Sequence, residues 1–214
     1  MPSTLLQPSP RRVRITQTGE MWMKPGGRRL RFQAVEDLWV EEVAFAWRAR
    51  FRLAPLIAMN VVDRFSKGEG ELRARLFRLP VMRQTGAETS VGEALRYLAE
   101  LPWVPHALRA NSELEWDELD ERTLEVSTHV RSRRAAVRLD FDDTGDYRPH
   151  LVPDPTTAGR KDVRPDSVGG EFGDYAILGG IRIPTSAVVY WDLPEGRFVY
   201  WRGRINALEL VESR

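Results

Sequence analysis

In "MNVVDRF", residues 59 to 65, Met59, Val61 and Phe65 alternate with their neighbours and share one side of the segment with Asp63. A carboxylate turned toward an apolar interior is costly unless a cation or several donors accompany it. Asp63 is therefore either half of a structural ion pair or a strand-end cap, or a general base or ligand anchor whose pKa burial raises. "RFVYWRGRI", 197 to 205, sets Phe198, Tyr200 and Arg202 on one side against Val199, Trp201 and Gly203. Arg202 is then the natural partner of an inward acid, or a fork for an anionic head group. In "RYLAELPW", 96 to 103, Tyr97 and Glu100 flank a leucine stripe, and Trp103 follows Pro102. The candidate catalytic set is Asp63 and Glu100 as acid or base, with Tyr200 and Arg202 stabilising developing negative charge. The candidate ligand-binding set is Trp47, Phe51, Tyr97 and Trp103, whose rings suit an apolar cavity.

Other chemistries lack their residues. The chain has no cysteine, which removes disulfides, thiolate nucleophiles and zinc ribbons. His106, His129 and His150 are scattered, without metal-ligand spacing. There is no Gly-rich phosphate loop, serine elbow or His–Glu metal motif. "GGEFG" at 169 to 173 leads into a strand-like run and not a helix, which argues against a dinucleotide site. No cofactor and no metal are expected.

The elements that must position these residues are mostly strands. "FAWRARFRL", 45 to 53, alternates without a slip, with Phe45, Trp47, Ala49, Phe51 and Leu53 against three arginines. "RRVRITQTGEMWM" and "RRLRFQAVEDLWV" form a hairpin around "PGG", and further pairs are separated by "SKGEGE", "LGG" and "LPEG". Strands so close in sequence imply an antiparallel meander of roughly ten. "TSVGEALRYLAELPW" is the single helix, with Ser90 and Glu93 as a capping box, Val91, Leu95, Leu98 and Leu101 at helical spacing, and Pro102 as the stop. The expected class is mainly β with some α, a large curled antiparallel sheet, half-barrel or barrel, wrapped around one short helix. One domain is expected over 1–214, flexible at 1–10, with a mobile loop at 153–170.

On that sheet the rings face inward. The arginines face water, paired across strands with Glu36, Asp37, Glu69 and Glu71. Rings and arginines on opposite faces disfavour nucleic acid, because bases could not stack beside their own phosphates. Net charge is +1, and no apolar run is long enough to span a bilayer as a helix, so a cytoplasmic chain is the default expectation. The long segment 197–211 offers an edge for a homodimer.

The runs "RYLAELPWVPHAL", "FGDYAILGGIRIPTSAVVYW", "YWRGRI", "GEMWM", "WRARFRLAPL", "VVDRFSKGEGELRARL" and "LEWDELDERT" resemble, in order and from about residue 13 onward, an uncharacterised bacterial family of unknown function. Its expected fold is similar to lipoprotein-carrier half-barrels, and the resemblance carries no catalytic residues with it. Residues and resemblance together lead to the expectation of a protein that binds a hydrophobic or lipid-like small molecule in an aromatic-lined cavity. The alternative is a cofactor-independent enzyme (a cyclase, isomerase or lyase) acting on a largely apolar substrate in that cavity. A third reading, an interaction protein, uses the outward arginines.

Overall fold

A computed structural model describes residues 10–143, 147–151 and 168–212, with backbone alone for 147–151. Its strands are β1 (Arg12–Trp22), β2 (Arg29–Trp39), β3 (Phe45–Ala54), β4 (Ile57–Ser66), β5 (Glu69–Leu76), β6 (Leu79–Thr85), β7 (Glu115–Asp120), β8 (Thr123–Val130), β9 (Arg133–Phe141), β10 (Tyr147–Leu151), β11 (Val168–Leu178), β12 (Ile181–Leu193) and β13 (Gly196–Val211). Among the described residues they form one sheet in the order β6-β5-β4-β3-β2-β1-β13-β12-β11-β10-β9-β8-β7, antiparallel throughout. The extra strands beyond the expected ten include β6, whose residues are all exposed and carry no inward stripe to read.

That order explains the helix. Every other connection joins sheet neighbours, but β6 and β7 lie at opposite edges, so the chain between them must cross the hollow. It does so as α1 (Ala87–Ala99), a single 3-10 turn (Leu101–Trp103) and a short α2 (Ala107–Ala110). Helix α1 packs against β4, β5 and β6 on one side and β8, β9 and β10 on the other. Across the same gap Arg131 pairs with Glu69 at 3.6 Å and Arg133 with Glu88 at 2.9 Å. The sheet is thus a half-barrel curled around α1.

The helix begins three residues before the expected Ser90, at Ala87, with Gly86 as its cap and no side-chain capping bond. Ser90 Oγ instead accepts the Gly70 amide of β5 at 3.0 Å. Close approach is the reason. A Cβ on Gly70 would stand 2.8 Å from Glu93 Cγ and 3.0 Å from Ser90 Cα, so helix and strand touch where only glycine fits. The helix ends ahead of Pro102, as the sequence predicts.

The alternation in β3 holds. Phe45, Trp47, Ala49 and Phe51 are buried, and Arg48, Arg50 and Arg52 are exposed. The segment 197–211, expected to offer an edge, lies in the middle of the sheet order as part of β13, paired with β1 over 201–211 and with β12 over 196–204. The expected flexible stretch 1–10 and loop 153–170 fall outside the described residues, except Pro10 and Val168 to Gly170, of which the latter three already belong to β11. Among the described residues no helix is long and apolar enough to cross a membrane.

Candidate functional site

The inner face is built in rungs by cross-strand register. Nearest the β1–β2 turn, Met21 pairs with Leu30 and with Trp201. The next rung runs Gly203, Gly19, Phe32, Phe51, Met59, and two rungs deeper come Ile15, Glu36, Trp47 and Asp63. At two residues per rung, the carboxylate rung lies roughly 20 Å below the first. Gly19 and Gly203 face each other to leave room for rings. A Cβ on Gly19 would stand 2.5 Å from Phe32 Cζ, and one on Gly203 2.1 Å from the Trp201 indole. Over this gap Phe32 and Trp201 stack at 5.9 Å between centroids. Phe32 also meets Trp47 at 5.5 Å and Phe51 at 5.4 Å, and Trp103 meets Phe172 at 5.3 Å and Trp201 at 6.5 Å. Met21, Leu30, Leu53, Met59, Phe172 and Trp201 are half-buried against this wall, forming an apolar mouth at the end away from α1's first turn.

The floor carries charge. From α1, Arg96 reaches Glu36 of β2 at 2.9 Å, Asp63 of β4 at 2.7 Å and Glu100 one helical turn on at 2.9 Å. Its guanidinium lies 4.7 Å from the Phe45 ring centroid and 5.2 Å from that of Trp47. Trp47 Nε1 donates to Gln17 Oε1, and Gln17 Nε2 donates to Glu36 Oε2, each at 2.8 Å, so the aromatic wall and the charged floor form one hydrogen-bonded chain.

Glu93 joins as a fourth carboxyl facing one cation. Burial, with the charge of Asp63 added and Arg96 opposing, pushes Glu93 up to about 8. Burial and the charge of Glu100 likewise push Glu36 well up against the pull of Arg96, and burial raises Glu100 despite that guanidinium. With all four ionised, Asp63 Oδ1 and Glu100 Oε2 would be buried without a donor. A proton on Glu93 supplies a donor to Asp63, and in the facing Glu36–Glu100 pair burial raises both members. Among the described residues no His, Asp or Glu group is placed to hold a metal ion.

Of the sequence-predicted catalytic set, Asp63 and Glu100 come together on Arg96. Tyr200 is half-buried near them, its hydroxyl pKa raised by burial with Arg96 opposing. Arg202 departs from expectation. The β12–β13 register shifts between Val189, opposite Trp201, and Tyr190, opposite Val199, which makes Tyr200 the extra residue of a bulge. Trp201 and Gly203 therefore take the inner face, and Arg202 is exposed with its guanidinium 5.9 Å from the Trp22 ring centroid. Of the ligand set, Trp47, Phe51 and Trp103 are buried behind the mouth. Tyr97 is wholly buried, donating to the Trp39 carbonyl at 2.7 Å and accepting from Asn111 at 3.1 Å, which accounts for its polar tip structurally.

Sequence reasoning missed Arg96, Glu93 and Gln17 as site residues and placed Glu36 outside. The signals existed. Glu93, Arg96 and Glu100 are spaced three and four apart, one helical face. Glu36 shares the parity of Phe32 and Ala34, and Gln17 that of Val13 and Ile15. Asp37 and Glu71, by contrast, pair with arginines on the outer face as expected, and Glu69 pairs with Arg131 of the β8–β9 turn.

No curated protein is significantly similar in sequence. Two solved structures are similar in shape. A LolA superfamily protein from Nitrosomonas europaea has a TM-score of 0.49 at 10% identity, over 97% of this chain and 89% of the other. A DUF1329 family protein from Desulfovibrio piger has a TM-score of 0.46 at 11% identity, over 95% and 87%. The family model for DUF6544, a family of unknown function, matches residues 4–203, and the chain belongs to that family.

Proposed function

We propose that the protein binds a hydrophobic or lipid-like small molecule at the mouth of the curled sheet. The observation that carries this is the half-buried apolar rim of Met21, Leu30, Leu53, Met59, Phe172 and Trp201, backed by a packed aromatic wall. Such a surface is expensive to leave facing water and is repaid by an apolar occupant. Trp47, Phe51 and Trp103 form the aromatic wall behind the ligand. Asp63, Glu100 and Arg96 hold the helix to the sheet at the closed end and present polar atoms to a head group that reaches them.

The test uses a dansylated undecanoic acid, whose emission rises in an apolar site, together with mass spectrometry of solvent extracts from the purified protein. Binding is expected, and Met59→Asp weakens it about tenfold by charging the mouth. No binding and no retained apolar molecule, from a protein with native circular dichroism, sinks the reading.

A second reading places cofactor-independent acid/base chemistry on the same floor. What favours it is a carboxyl, Glu93, still protonated near neutral pH beside Asp63. It requires turnover that disappears in both Asp63→Asn and Glu100→Gln with folding intact.

A further inference from the structure

Three turns, β1–β2, β3–β4 and β5–β6, lie at the same end of the sheet as the mouth, because alternate hairpins of an antiparallel meander turn on the same side. Each carries an apolar residue out into water. Met23 is 73% exposed, Leu56 93%, Phe77 64% and Leu79 68%. At the third tip Phe77 and Arg78 both take positive φ, 49° and 72°, in a turn where Asn-Gly would be relaxed. A bulky ring held in that region costs backbone strain, which fold stability alone does not explain.

The charge around these tips has one sign. Segments 23–31, 52–57 and 75–79 contain Lys24, Arg28, Arg29, Arg31, Arg52, Arg75 and Arg78, and no acid. Nearby acids are Glu20, which pairs with Arg29 and Arg31, Glu171 and Asp192, which both pair with Arg197, and Glu195 on the β12–β13 hairpin. From this we infer that the rim is a docking surface for an anionic lipid bilayer. Leu56 and Phe77 enter the acyl boundary while the guanidinium groups meet phosphates. A second copy placed on this rim would set seven cations against seven. A nucleic acid would leave Met23, Leu56 and Leu79 with nothing to bury against. The docking stands on the rim alone, while its use for loading the mouth rests on the apolar-ligand reading above.

Flotation with vesicles of phosphatidylglycerol and phosphatidylcholine, compared with phosphatidylcholine alone, tests it. Expected is binding to the anionic vesicles at least about tenfold tighter than to neutral ones, falling with salt. Leu56→Asp with Phe77→Asp should weaken it about tenfold or more, as should Arg52→Glu with Arg78→Glu. Aspartate accepts positive φ better than phenylalanine, so the turn survives the change. Absence of vesicle binding, or tip variants that bind as tightly as the native chain, overturns the proposal. So does a native chain whose tips mediate self-association or binding to an RNA oligomer in place of vesicles. The dansyl probe in vesicle-free buffer separates the two ideas. Tip variants should retain probe binding, and Met59→Asp should lose it while still floating with vesicles.

Discussion

Glu36 and Asp37 are adjacent in sequence and both essentially without solvent contact, yet they sit in opposite kinds of ion cluster. Inside the half-barrel, one guanidinium serves four carboxyls. Outside, one carboxylate is served by three guanidinium groups: Asp37 by Arg14 at 2.8 Å, Arg48 at 3.0 Å and Arg12 at 3.6 Å. Glu71 repeats the outer pattern with Arg64 at 2.6 Å, Arg83 at 2.9 Å and Arg73 at 3.4 Å. Burial pushes Asp37 and Glu71 up too, but their arginine hydrogen bonds win and hold both low, whereas Glu36, Glu93 and Glu100 end high. The lesson is stoichiometric. The outer face gathers three cations about each acid, while the inner face sets four carboxyls about one guanidinium and raises the pKa of three of them.

The largest break in this contrast is removal of the guanidinium that the inner carboxylates share. Arg96→Met should cost about 3–5 kcal/mol in urea unfolding, because Asp63, Glu36 and Glu100 lose their shared partner in the interior. Arg48→Ala, which leaves Asp37 two arginines, should cost less than about 1 kcal/mol. If the two losses are equal, the distinction between clusters fails. Neutral isosteres at the adjacent acids sharpen it next. Asp37→Asn forfeits charge-assisted bonds and should cost about 1.5–3 kcal/mol. Glu36→Gln keeps an oxygen for Arg96 but turns its amide against the Gln17 donor, so its cost should be about 1–3 kcal/mol.

The clusters also differ in pH dependence. A carboxyl raised in the folded state binds its proton more tightly than in the unfolded chain. Glu93 therefore contributes stability that is full below the ordinary carboxylate range and is lost as pH rises to about 8. Asp37 and Glu71, held low, contribute stability present above that range and lost as pH falls. Glu93→Gln should flatten the alkaline arm of the stability profile by about 1–2 kcal/mol and leave the acid arm alone, as urea melts between pH 3 and 9 would record.

Much of the sheet was legible because its alternation is strong. Trp47, Phe51 and Arg48 fell on their observed faces, and Asp63 was singled out as an inward acid. Parity fails where register slips, and one bulge residue at Tyr200 sent Arg202 to the opposite side. The counter-ion of Asp63 came from the helix, because nothing in period-two reading of a strand reports what a crossing segment lays over it. The half-barrel class was readable. The reason its helix lies inside was not, since it depends on β6 and β7 occupying opposite edges, a property of long-range order with no local signature.

That same order puts β1 beside β13, with Arg12 opposite Val211 at the heart of the sheet. Strand β1 therefore leaves the ribosome well before its second sheet neighbour, β13. Until then one flank of β1 has unsatisfied amides and carbonyls, and the nascent chain is exposed to wrong pairings. The slow step of assembly should be this late zippering of sequence-distant strands, and a ribosome-bound fragment ending before β13 should be far more prone to aggregate than the full chain.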